Sequence, residues 1–419
     1  MESRDEHFDA SEHYDASAYS TPPELARWRT LSLGSGGVLS AIILVVALLF
    51  PAMREDALRA WLLGFIFWAG IGVGCIGVLL LQYLIRGSWG VVLRRVLEAG
   101  TRTIPILAVL FLPLLFGVRN IYEWTRLVGT GDHVIDHRQP YLSVEWWTIR
   151  AALYFVLWFL MMYFLNKWSQ QQDESTSEDG AMKNFTDPVK FAGPTMIAFV
   201  LTVTFAAVDW MMMLDPHWYS TMWGFLFVAG WGLSCFAFSI VILALLANKA
   251  PMNRILGKQH FHDIGKLTLA LVMIWAYFNF SQFLIIWSGN LPEETVWYLS
   301  RMHGAWGVIG ILLIVFHFAF PFILLLSRDL KRDAKWLALL AVFILVMRLV
   351  DMYYLIGPSP RIGMQGHEMP FNLNLLDIAA PFAVGGIWLW WFFGELMKRP
   401  LVPINDPYLP DAIAKGYEH

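Results

Sequence analysis

Long apolar runs, each closed by a cluster of polar or charged residues, recur from about residue 30 almost to the end of the chain. Ten of them are long enough to cross a bilayer, whose ~30 Å hydrocarbon core takes ~20 helical residues. They cover roughly 30–52, 58–84, 103–124, 145–167, 192–214, 222–247, 264–288, 301–326, 334–356 and 374–397. Unpaired backbone polar groups are costly in hydrocarbon, so each run is expected to be a helix. The pattern predicts an all-α polytopic membrane protein, with residues 28–399 as one ten-helix membrane domain. Residues 1–27 are polar and predict a disordered tail that ends at Thr21-Pro22-Pro23. Residues 400–419 predict a proline-rich, polar C-terminal tail, and the Gln/Glu/Ser-rich stretch near 168–190 a mobile loop.

Composition agrees with the pattern. Hydrophobic residues make up 57% of the chain, charged residues 15%, and mean hydropathy is +0.53. A soluble domain sits nearer roughly half apolar and a quarter charged. Basic residues set the orientation. Arg27, Arg29, Arg86, Arg94, Arg95, Arg102, Lys167, Lys183, Lys190, Lys249, Arg254, Lys258, Arg328, Lys331, Arg332, Lys335, Lys398 and Arg399 fall on one side. The other side has Arg54, Arg59, Arg126, Arg138, Arg301 and Arg361. Both termini are therefore expected in the cytoplasm. The net charge of −3 and the lack of a dense basic cluster give no reason to expect a nucleic-acid partner. The acidic start (Glu2, Asp5, Glu6, Asp9) does not read as a signal peptide. Cys75 and Cys235 each sit inside an apolar run, which leaves no motif for covalent haem, a cysteine-ligated iron–sulfur cluster or a disulfide framework. No metal site is expected.

An internal repeat emerges when the spans are aligned. The fifth ends in Asp209 and the ninth in Asp351, each seven residues before a proline, Pro216 and Pro358. The fourth and eighth begin with aromatic-x-x-Arg, Trp147 to Arg150 and Tyr298 to Arg301. Spans two to five would then match spans six to nine, as two four-helix bundles flanked by two further helices.

Ionisable residues at membrane depth are expensive and commonly mark pathways. Arg348 and Asp351, three apart, can pair on one helix face, either as structural glue or on a proton path. Asp209 has no basic residue in its own helix, so it either pairs with another span or is protonated. His303 and His317 share a face, but no second span offers matching histidines for haem b. His317 is a candidate relay, and His303 could hydrogen-bond a quinone or a headgroup. The seventh span has a distinctive layout. It opens with His262-Asp263-Ile264-Gly265-Lys266, carries Asn279 and Gln282 on one face, and closes at Trp287-Ser288-Gly289-Asn290-Leu291-Pro292-Glu293-Glu294. Asp263 and Lys266 read as a cytoplasmic doorway. Asn279 and Gln282 either bond across helices or, with His303, wall a polar quinone chamber that also takes in Asp209, Arg348 and Asp351. Tryptophans and tyrosines at span ends, including Trp124, Trp147, Trp218 and Trp297, read mostly as interface anchors.

The run from His260 to Lys266, continuing through Trp275-Ala276-Tyr277-Phe278-Asn279-Phe280-Ser281-Gln282 to Glu294, resembles the F subunit of alternative complex III, also called quinol:cytochrome c oxidoreductase quinone-binding subunit 2. The stretches Asp209–Gly224 and Arg348–Pro360 are similar to it as well. The resemblance implies the polysulfide-reductase/NrfD-like fold and a bacterial plasma-membrane complex that oxidises menaquinol. It implies partners: a sister NrfD-like membrane subunit, an iron–sulfur subunit, multihaem cytochrome c subunits and a terminal oxidase. The c haems and iron–sulfur clusters would belong to those partners, and the sister subunit's quinol site would abut an iron–sulfur cluster. For this chain it implies support of quinol oxidation, menaquinone or menaquinol as a candidate ligand, and proton translocation through Asp209, His317, Arg348 and Asp351 as a candidate role, for which the Asp263 and Lys266 doorway read from the residues would be the inner entrance. A secondary transporter and a purely structural membrane scaffold are the alternatives.

Overall fold

The computed structural model describes residues 21–175, 177–362 and 370–416; the expected tail over residues 1–20 lies outside them. Among the described residues, all regular structure is helical. The main helices are α1 (Glu24–Leu49), α2 (Arg54–Ile85), α3 (Ser88–Thr101), α4 (Ile104–Ile121), α5 (Val144–Asp173), α6 (Glu178–Trp210) and α7 (Trp223–Leu246). They continue with α8 (Lys258–Gly289), α9 (Pro292–Met302), α10 (Gly304–Leu326), α11 (Ala334–Ile356), α12 (Leu375–Leu396) and α13 (Leu409–Gly416). All but α3, α9 and α13 belong to ten segments long and apolar enough to cross a membrane, so the chain is an all-α polytopic membrane protein.

Position in the bundle does not follow from hydropathy, because lipid-facing surface is as apolar as the interior; it follows from burial. In α2 and α7 the most apolar stretch is 83% buried, against 22% in α1, α8 and α10. These two central helices pack on each other. Around α2, the contacts run α2–α4–α5–α6 and back to α2; around α7, they run α7–α8–α10–α11 and back to α7. Helices α1 and α12 lie together against α2. Their closest approach is at Gly36 and Gly386, where a Cβ on Gly36 would meet the Gly386 Cα at 2.5 Å. Small residues let membrane helices come that close.

The structure corrects several expectations. The stretch 168–190 is not a long loop. Helix α5 runs to Asp173 and α6 begins at Glu178, with Ser177 capping the Gly180 N–H at 3.2 Å. Trp168 packs edge-on against Phe191 at 5.2 Å, so a half-buried aromatic contact joins the two extensions. Helix α1 begins at Glu24, inside the stretch expected to be a tail. The C-terminal segment is a packed strap. Asn405 Nδ2 donates to the carbonyls of Gln172, Asp173 and Ser175 at 3.2, 2.9 and 3.0 Å, and α13 packs on α3 and α8. Trp124, Trp147 and Trp218 are fully buried and Trp297 nearly so, rather than anchored at an interface. Their indole N–H groups explain part of this: Trp147 donates to the Asp209 carbonyl at 3.0 Å and Trp218 to the Glu294 carbonyl at 3.1 Å.

Helix α10 is interrupted. Residues Leu313–Ala319 form wider π turns, and Pro321 stands four residues after His317. A proline inside a helix leaves the carbonyl four residues back without its usual donor, and π turns absorb the misfit.

Candidate functional site

Two buried carboxylates sit at the corresponding ends of α6 and α11. Asp209 is fully buried and receives four donors. Arg150 reaches across from α5 with Nε at 2.8 Å and Nη2 at 2.9 Å, while the Tyr141 and Tyr154 hydroxyls each donate at 2.7 Å. The Arg150 guanidinium also lies 3.8 Å from the centre of the Tyr141 ring. Both carboxylate oxygens are thus filled by charge-assisted bonds. Tyr141, in the loop before α5, has its phenol pKa pushed up by burial and by the Asp209 charge. Of the two alternatives for Asp209, pairing with another span is what the structure contains. Arg150, Tyr141 and Tyr154 were not singled out as its partners; the aromatic-x-x-Arg repeat was the available signal.

Asp351 is also buried, but its surroundings are open. Arg348, one turn back on α11, bonds it through Nη1, and Trp275 Nε1 of α8 donates at 3.2 Å. Gly230 of α7 makes room for the guanidinium, since a Cβ there would stand 2.3 Å from Arg348 Nη2. His317, from the π turns of α10, stacks on Trp275 with ring centres 4.0 Å apart. It is fully buried, and neither ring nitrogen has a hydrogen-bond partner in the protein; nor does Arg348 Nε. Orphaned buried polar groups of this kind are uncommon and costly.

Beside Asp351 lies a cavity of ≈ 990 Å³ between α8, α9, α10 and α11. Trp275, Asn279, Tyr298, Arg301, Tyr354 and Asp351 line its polar part, and Phe280, Phe283, Ile311, Ile314 and Phe318 its apolar part. Asn279 is half-buried and gives its amide N–H to the Trp275 carbonyl at 2.9 Å. Gln282 lies outside the lining, bonded to Ser220 Oγ at 2.8 Å and the Tyr298 hydroxyl at 3.1 Å. His303 is exposed at the break between α9 and α10. Of the expected chamber, Asn279, Asp351 and the neighbouring Arg348 come together, while Asp209 keeps its own separate partners. A smaller cavity of ≈ 280 Å³ adjoins Tyr141 on that side, lined also by His137, Arg138, Met212 and Tyr219.

The expected doorway is at the face that carries both described chain ends. Asp263 pairs with Lys266 at 3.1 Å and with Lys415 of α13 at 3.3 Å, so the strap lies over it. His260 bonds the Ala412 carbonyl at 2.9 Å. A second cluster at this face was read only as loop charge. Arg94 and Arg95 of α3 bind Glu98 at 3.2 and 2.6 Å, Arg94 also binds Asp406, and Arg95 binds Asp173. Burial alone would raise the Glu98 pKa, but the Arg95 and Arg94 guanidiniums overcome it and hold the carboxyl well below the usual range. Among the described residues, no group of three or more His, Cys, Asp or Glu side chains gathers to hold a metal ion.

No family model matches this chain, and no curated protein matches it.

Proposed function

We propose that this chain is an integral membrane subunit of a quinol-oxidising respiratory complex of the alternative complex III type, set in a bacterial plasma membrane with both termini in the cytoplasm. In this reading the quinol reacts at a partner subunit and its electrons pass through iron–sulfur clusters and c haems held by partners. This chain contributes proton transfer. The observation that carries the reading is the group His317–Trp275–Asp351–Arg348, an incompletely satisfied ionisable cluster inside membrane-spanning helices. Such groups are expensive to retain unless they work.

Each residue has a distinct task. Asp263 and Lys266 collect protons from the cytoplasm. His317, with both nitrogens unclaimed by protein, accepts a proton from water and passes it on. Asp351 receives it beside Arg348, whose fixed charge lets the carboxyl release it toward the outer side. Asp209, held by four donors, is the static counterpart that fixes the first half.

Two measurements test this. Purification in mild detergent is expected to bring down c haem and iron–sulfur absorbance with the chain; its isolation alone would sink the respiratory reading. In the assembled complex, Asp351→Asn is expected to cut proton release per electron while assembly persists. Full turnover with full proton release in that variant would remove the proton-path role.

A further inference from the structure

Arg301 has no acidic partner of its own. It is 1% exposed; its guanidinium stacks on the Trp297 ring, 3.8 Å from its centre, and bonds the Trp297 carbonyl at 3.1 Å, Ser300 Oγ at 3.3 Å and the Leu355 carbonyl at 3.2 Å. Its Nε has no partner, and no carboxylate among the described residues forms an ion pair with it. The Asp215 carboxylate also acts on it electrostatically. A guanidinium stays cationic at neutral pH even when buried. Its repeat counterpart, Arg150, is neutralised by Asp209.

This cation lines the large cavity at the end of α9, just before α10 enters its membrane span. From there the cavity is walled by Phe280, Ile311 and Ile314, which are 59%, 63% and 65% exposed. A wall that is both cavity lining and outer surface means that the cavity opens sideways, toward hydrocarbon. Asp351 lines it too, but Arg348 and Trp275 already offset that carboxylate. A buried cation at the end of an apolar, laterally open slot matches an anionic amphiphile, and ≈ 990 Å³ is at the large end of small-molecule sites, which run to ~1,000 Å³.

We propose that this cavity is a specific phospholipid site, with the lipid phosphodiester paired to the Arg301 guanidinium and an acyl chain laid along Phe280, Ile311 and Ile314. The guanidinium fork suits phosphate oxygens better than a point charge would. The Tyr298 hydroxyl, which accepts from Gln282, keeps its own proton to donate. Lipid exchanges through the sideways opening, so no gate is required. The inference is independent of which complex the chain joins, because it places lipid rather than quinol in this cavity.

The test is mass spectrometry of lipids and quinones retained by the purified full chain, or by its complex, after extensive detergent washing. A single phospholipid per chain is expected in the native protein. Arg301→Gln is expected to lose it and Arg301→Lys to keep it in part. Ile311→Trp, which fills the slot and leaves the guanidinium in place, is expected to lose it as well, and it decides the matter if Arg301→Gln does not fold. Retention of quinone instead of phospholipid overturns the proposal. So does phospholipid content that is unchanged in Ile311→Trp, or absent from the native protein.

Discussion

Helices α6 and α11 each carry a buried aspartate near their C-terminal end, and the surroundings of the two are opposite. Around Asp209, four donors from two other segments fill every acceptor position, and the arginine comes from a neighbouring helix. Around Asp351, the arginine comes from its own helix, one indole supplies a longer bond, and a cavity begins alongside. The arginine that corresponds to Arg150, Arg301, has moved out of reach onto a separate short helix. A satisfied network is rigid and binds halves of a bundle together. An unsatisfied one at the same depth is a place where water, protons or a ligand can enter.

The largest effect is expected from removing the cation of the closed site. Arg150→Ala strands a fully buried carboxylate and should cost about 3–5 kcal/mol, read as loss of stability in a detergent–denaturant titration. Arg348→Ala should cost less, about 1–3 kcal/mol, because Asp351 keeps the Trp275 donor and can take up a proton in place of the arginine's charge. Equal losses would mean that the two sites do not differ in kind. Next is Tyr154→Phe, which deletes a bond to a charged acceptor and should cost roughly 1.5–3 kcal/mol by the same titration. Trp275→Phe, at the open site, should cost only about 0.5–1.5 kcal/mol, since its bond is long; it should also alter the near-ultraviolet signal of the indole stacked on His317.

A third carboxylate of the closed kind, Glu98, is tested by the shape of a pH profile. Its folded pKa is depressed, so its contribution is complete above the unfolded value of ~4.3 and is lost as pH falls below that toward the folded value. Glu98→Gln should therefore flatten the acid limb of a stability–pH profile while the profile above pH ~5 keeps its shape. An unchanged acid limb would remove Glu98 from the closed class.

The spans were legible because ~20 apolar residues between polar clusters admit one structure in hydrocarbon. Arg348 with Asp351 was legible too, because three residues on one helix fix their meeting. The partners of Asp209 were not, since Tyr141, Arg150 and Tyr154 come from sequence 55 to 68 residues away. Arg94, Arg95 and Glu98 have the spacing of a helical ion network, yet as loop arginines they counted only toward orientation. Asp406 could not have been assigned to them, being 312 residues from Arg94. The π turns at His317 had one visible sign, Pro321 four residues on. The strap was misread because proline and polarity mark both tails and packed irregular chain; only the buried partners distinguish them.

That strap has a consequence for how the protein is made. Arg94 leaves the ribosome 312 residues before Asp406, an interval of about 15–60 s at ~5–20 residues per second. Asp173 follows Arg95 after 78 residues, but until Asp406 is made Arg94 has Glu98 as its carboxylate partner. When Asp406 finally arrives, its pairing with Arg94 makes a buried lock that ties the strap back to α3.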